Sequence, residues 1–115
     1  MEIIKNQPLA PFTTVKIGGP ADIFITTSTT AEFVEVLSKS GPQTPPVILG
    51  NGSNVLISDR GIRGTVIKNL SSNIEYLPGN KVKVDSGTQL NLLIQDSISH
   101  YLSDLEEFAY IPSTI

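Results

Sequence analysis

Cysteine is missing from all 115 residues. That excludes disulfide frameworks, thiol nucleophiles and thiolate metal sites, and it suits a reducing compartment. Histidine occurs once, at His100, so with no cysteine beside it a transition-metal site is not expected. No apolar run is long enough to span a bilayer, and no basic stretch leads into an apolar segment at the amino terminus. The expectation is a soluble, unexported cytoplasmic protein with no membrane partner. Basic residues are also few: eight Lys and Arg against eleven Asp and Glu give a net charge of −3. The positive residues are scattered singly, which argues against a nucleic-acid partner. Low-complexity tracts and internal repeats are absent, setting aside disorder and solenoid architectures. The length suits one compact unit, and a domain of this size buries roughly two-thirds of its unfolded surface, enough for stability without staples.

What is present reads as strand, helix, several strands and a second helix, an α+β order. Met1 to Pro20 contains three prolines and two glycines and reads as an extended arm with one tight turn at Gly18-Gly19-Pro20. Ala21 to Thr27 alternates Ile23 and Ile25 against Asp22, Phe24 and Thr26, the period of a strand in a mainly buried sheet. Thr29 with Glu32 three positions on forms a capping box, since each side chain satisfies a backbone N–H of the first helical turn. Phe33, Val34, Val36 and Leu37 then form an apolar stripe, and Ser40-Gly41-Pro42 stops the helix after about Lys39. Pro46-Val47-Ile48-Leu49 leads into Gly50-Asn51-Gly52-Ser53-Asn54, and Val55-Leu56-Ile57 resumes a strand pattern, so the loop is expected to join two strands. Thr65-Val66-Ile67 follows the Gly61-Ile62-Arg63-Gly64 turn. Pro78-Gly79-Asn80 separates Ile74 to Leu77 from Lys81 to Asp85, a hairpin. Leu90, Leu93, Ile94 and Ile98 mark a second helix from Thr88 to about Tyr101. Leu105 to Ile115 carries apolar residues with no evident partner and no polar tail. It reads as a chain cut rather than finished, the alternative being a natural carboxy-terminal strand.

The Gly50 to Asn54 loop is the feature with chemistry in it. Glycines allow the positive dihedral angles that turn consecutive amides toward one point, and such a nest binds an anion. Ser53 and Asn54 add hydroxyl and amide donors, so a diphosphate can be gripped by a neutral cradle without a nearby lysine or metal. A Walker loop would need Gly-Lys-Ser or Gly-Lys-Thr where Gly52-Ser53-Asn54 stands. The dinucleotide fingerprint would need a glycine at Val55 and a helix next. On spacing alone, a ligand-free Asn-Gly turn explains the loop equally well.

Context separates these readings. Thr13 to Asp22, Val47 to Leu56, Gly61 to Ile67 and Leu105 to Ile115 occur in an order and spacing that closely resemble the UDP-N-acetylenolpyruvoylglucosamine reductase (MurB) family, over essentially the whole chain. The resemblance implies the first lobe of a vanillyl-alcohol-oxidase (PCMH) type FAD-binding fold, a small mixed sheet with two flanking helices. It divides the chain into an arm at 1–20, the first FAD-binding lobe at 21–104 and the start of a second lobe at 105–115. It implies that Gly50, Asn51, Gly52, Ser53, Asn54 and Val55 wrap the FAD pyrophosphate, and that Ile111, Pro112, Ser113 and Thr114 pass beside the flavin. Tyr110 stands where the family usually has glycine, and a tyrosine needs space and loses freedom at positive φ. The family activity uses NADPH to reduce FAD and then the enolpyruvyl group of UDP-N-acetylglucosamine enolpyruvate, forming UDP-N-acetylmuramate for peptidoglycan. The serine, arginine and glutamate that serve that chemistry lie downstream of the matching region. The 115-residue chain is therefore expected to be inert alone and to bind FAD weakly.

Other polar residues carry less. Lys16 either helps place the loop or cofactor or is a solvated surface lysine. His100 reads as a favourable cation at a helix carboxyl end. Asp85, Asp96, Glu106 and Glu107 read as solvated carboxylates, and Asp59 and Arg63 flank a turn across which they can pair. The alternative to a reductase lobe is a stand-alone FAD-binding or interaction module, with the apolar carboxy-terminal segment offering an oligomer contact.

Overall fold

The computed structural model describes residues 1–115. Its main sheet has four strands: β1 (Glu2–Pro8), β2 (Pro20–Thr27), β3 (Val47–Leu49) and β4 (Ile62–Asn69), in the order β1-β2-β4-β3. β1 runs antiparallel to β2, while β2 and β3 both lie parallel to β4. The sheet is thus mixed, with β2 and β4 as its inner strands. Val66 and Ile67 on β4 are both fully buried, as expected of a strand covered on two faces. Val66 packs with Phe24, Leu49, Leu9, Ala21 and Ile57 on one face. Ile67 packs with Ile25 and Val36 on the other, beneath helix α1 (Thr30–Lys39).

Two expectations about the sheet change. Glu2–Pro8 is extended, but it is hydrogen-bonded into the sheet as an edge strand rather than lying over it as an arm. Only Ile4 and Gln7 in it are even half-buried, so no buried face imposed an alternation that could be read. Val55-Leu56-Ile57 is not a strand. Leu56 is 80 % exposed while Ile57 is buried, so the segment crosses from β3 to the parallel β4 and fills the core with one side chain.

Local signals fixed α1 well. Thr29 accepts a hydrogen bond from the Glu32 amide at 3.2 Å, and Glu32 reaches back to the Ser28 amide at 2.8 Å. That is the capping box, displaced by one residue on the return bond. Beyond the sheet, β5 (Ile74–Leu77) and β6 (Lys81–Val84) form the expected antiparallel hairpin, and α2 (Leu90–Ser99) follows. Buried Asn69 joins the two parts: its Oδ1 accepts from Thr27 Oγ1 and from the Ser71 amide and hydroxyl, and its Nδ2 donates to Ser86.

Several polar side chains near the surface have partners within the chain. Arg63 pairs with Asp22 at 2.7 Å rather than with Asp59, and Asp22 also accepts from the Gly64 amide at 2.9 Å. Asp85 accepts from the Asn73 side chain at 2.6 Å, and Glu106 from the Asp104 amide at 2.7 Å. Asp96 accepts from Tyr76 at 2.7 Å. His100 caps α2 with Nδ1 2.9 Å from the Asp96 carbonyl and stacks on the Tyr76 ring at 3.8 Å. No helix is long and apolar enough to cross a membrane.

Candidate functional site

β3 ends at Leu49, and the chain turns at once into Gly50 to Asn54. Gly52 is buried with φ 66°, a left-handed conformation that costs a side-chain-bearing residue about 1–2 kcal/mol. A Cβ there would be driven into the carbonyl of Phe12, and one on Gly50 would lie 2.6 Å from Thr114 Oγ1. Gly52 is excluded from carrying a side chain by fixed backbone, whereas at Gly50 only the Thr114 hydroxyl would have to move. The amides of Gly50, Asn51, Gly52, Ser53 and Asn54 donate to no other group of the chain. The loop is tied instead through its acceptors: the Gly52 carbonyl takes the Thr14 amide at 3.0 Å, and the Gly50 carbonyl takes Lys68 Nζ at 2.7 Å. A run of unbonded amides around a left-handed glycine is compatible with an anion nest.

Two segments distant in sequence close around this loop. A 3₁₀ turn at Ala10–Phe12 and the buried Thr13, whose hydroxyl bonds to the Ala10 and Ile17 carbonyls, bring Thr14 against Gly52. Behind them opens a cleft of about 250 Å3 whose walls include Thr14, Lys16, Asn51 and Lys68. From the other side, Ser53 Oγ donates to the Pro112 carbonyl. Ser113 accepts from the Leu90 amide at 2.9 Å and Ile115 donates to Thr88 at 3.0 Å, while Gln89 and Thr114 form an isolated bridge.

The structure therefore brings Gly50 and Ser53 together with Pro112 and Thr114. Asn51 lies between the loop and the lysine cleft, and Ser113 turns its hydroxyl to the Thr114 carbonyl at 2.7 Å. Asn54, Val55 and Ile111 are exposed. Tyr110 has φ 72° and is 93 % exposed. The backbone thus keeps a glycine-like conformation there, and the tyrosine ring finds its space in solvent. One correction concerns charge, because the cradle is not remote from lysine: Lys68 touches it, and burial pushes the Lys68 ammonium below its ordinary pKa. Sequence reading missed Lys68 because β4 reads simply as a core strand up to Ile67. Its signal was the parallel register Leu49↔Lys68, which only the pairing reveals.

Fold and loop together define a small α+β unit whose polar cleft, beside the glycine loop, is walled by Thr14, Lys16, Asn51 and Lys68. No protein-family model matches the chain. Individual proteins do: it is 39 % identical over 115 residues to the UDP-N-acetylenolpyruvoylglucosamine reductase of Clostridium novyi, covering 99 % of this chain and 38 % of that protein. It is 37 % identical over 117 residues to the same reductase of Carboxydothermus hydrogenoformans, covering 98 % and 38 %. The crystal structure of UDP-N-acetylenolpyruvylglucosamine reductase (MurB) from Thermus caldophilus superposes with a TM-score of 0.69 at 30 % identity, over 98 % of this chain and 38 % of that one. The chain is thus similar to the N-terminal part of these reductases and spans about 38 % of their length.

Proposed function

We propose that the chain forms the first FAD-binding lobe, of vanillyl-alcohol-oxidase type, in a cytoplasmic NADPH-dependent UDP-N-acetylenolpyruvoylglucosamine reductase of peptidoglycan synthesis. The observation that carries this reading is the set of five consecutive amides, Gly50 to Asn54, that bond to no protein group. They surround a left-handed Gly52 whose Cβ position is filled by neighbouring backbone. In this reading the Gly50 to Asn54 amides and the Ser53 region grip the cofactor diphosphate, and Pro112 to Thr114 line the approach to its ring. FAD supplies the carriage of hydride from NADPH to the enolpyruvyl sugar nucleotide. The chain's own residues bind and orient, and none is assigned proton transfer. By itself the chain then has no reductase activity and a weak grip on FAD.

Quenching of FAD fluorescence on titration with the chain tests this. Saturable quenching that is lost on desalting is expected; no quenching at any protein concentration would sink the proposal, and stoichiometric retention would sink the idea of an incomplete site. A second reading, a stand-alone FAD-binding or interaction module, draws on Phe108, Ile111 and Ile115, which are 44 %, 45 % and 45 % exposed. Concentration-dependent self-association in sedimentation, abolished by Ile111→Ser, would favour it.

A further inference from the structure

We infer that the cleft behind the Gly50 to Gly52 loop is a cationic extension of its anion site, in which Lys68 both fixes the Gly50 carbonyl and supplies charge to a phosphate or diphosphate ester. The inference rests on the anion-binding reading of the loop and adds the residue that would set its affinity. Lys68 is half-buried and is the second-to-last residue of strand β4. Its Nζ uses one of three donors on Gly50 at 2.7 Å. No carboxylate lies within ion-pair distance of it or of Lys16, although the chain forms ion pairs elsewhere. The named walls of the cleft are Thr14, Lys16, Asn51 and Lys68, with Pro11, Phe12 and Thr13 completing it and no acid among them.

A partly desolvated ammonium without a counter-charge is unfavourable unless an anion completes it. In a chain of net charge −3, two lysines sharing an acid-free cleft oppose the overall field. Lys16 is held there in a left-handed conformation, φ 57°, with Nζ 3.2 Å from the Pro11 carbonyl. Lys68 and the loop amides then act on one ligand from two sides: the amides provide direction and the ammonium provides charge. Through its bond to the Gly50 carbonyl, Lys68 is also a positioning residue for the Asn51 amide, which shares that planar peptide unit.

The test compares the whole chain with Lys68→Met, Lys68→Gln and Lys68→Arg, using FAD fluorescence quenching and competition by inorganic pyrophosphate across a salt series. For the wild type, affinity should fall as salt rises. Lys68→Met and Lys68→Gln should each bind about tenfold or more weakly, with a shallower salt dependence, and Lys68→Arg should restore both. Glutamine keeps a donor for Gly50, so its failure separates charge from simple latching; it also replaces methionine if that variant does not fold, as judged by thermal melting. Unchanged affinity and salt slope in Lys68→Gln, or no recovery in Lys68→Arg, overturns the inference while leaving the loop reading intact. A wild type that binds neither FAD nor pyrophosphate at low salt overturns the loop reading itself.

Discussion

Gly52 and Tyr110 occupy the same region of backbone space, with φ 66° and 72°, and the two should respond to substitution in opposite directions. At Gly52 both the dihedral and the Phe12 carbonyl reject a side chain. Gly52→Ala should therefore cost about 1–3 kcal/mol, read as a lowered urea midpoint, and should abolish FAD quenching. At Tyr110 the ring is almost wholly in solvent, so little packing is lost with it. Tyr110→Gly should stabilise the chain by about 0.5–1 kcal/mol in the same measurement. Two carboxylates set the response to acid. Glu32 is held below its ordinary value of 4.5, first by the Ser28 amide and then by the amino terminus. Burial alone would push Asp85 up, but hydrogen bonds from Asn73 outweigh it and the net shift is downward from 3.8. Folded pKa values below unfolded ones mean that this stability is present above about pH 4.5 and is lost as pH falls further. Urea midpoints should drop between about pH 5 and 3, and Glu32→Gln should flatten that drop.

Elements with local chemistry were legible, and those set by pairing were not. The Thr29 to Glu32 cap, the Ser40-Gly41 stop and the Pro78-Gly79-Asn80 turn act within a few residues, and α1 and the β5-β6 hairpin follow them closely. β1 was unreadable as a sheet member because an edge strand exposed on both faces has no alternation. The segment 55–57 misled because three consecutive apolar residues suit a strand and a core-crossing connection equally. At the site, the glycines of the loop announced themselves, whereas Lys68 became visible only through the register of β3 on β4. Asn69 is the same kind of residue, a polar end to a core strand whose role lies in what it joins. Its Oδ1 serves Thr27 and Ser71 in a buried place, so Asn69→Ala leaves hydroxyls without partners. A loss of about 1–3 kcal/mol is expected, together with faster amide exchange in the β5-β6 hairpin than in β2 and β4.

The molecule as a whole is more drawn out than its length requires. Its radius of gyration is 15.8 Å, against about 13 Å for a compact domain of this size. Of its 115 residues, 18 are buried, and the larger apolar cluster centres on Phe24. So slight a core leaves little reserve. Phe24→Ala, at about 3–5 kcal/mol, should remove the cooperative urea transition altogether. Extension also governs the order of events in refolding. The sheet and the hairpin form from neighbouring stretches, but Ser53 must find Pro112 across 59 positions. Such a meeting waits on diffusion of a long intervening chain. After dilution from denaturant, far-ultraviolet ellipticity should return before the capacity to dim flavin emission, and the lag between them would clock the moment the two ends of the site first meet.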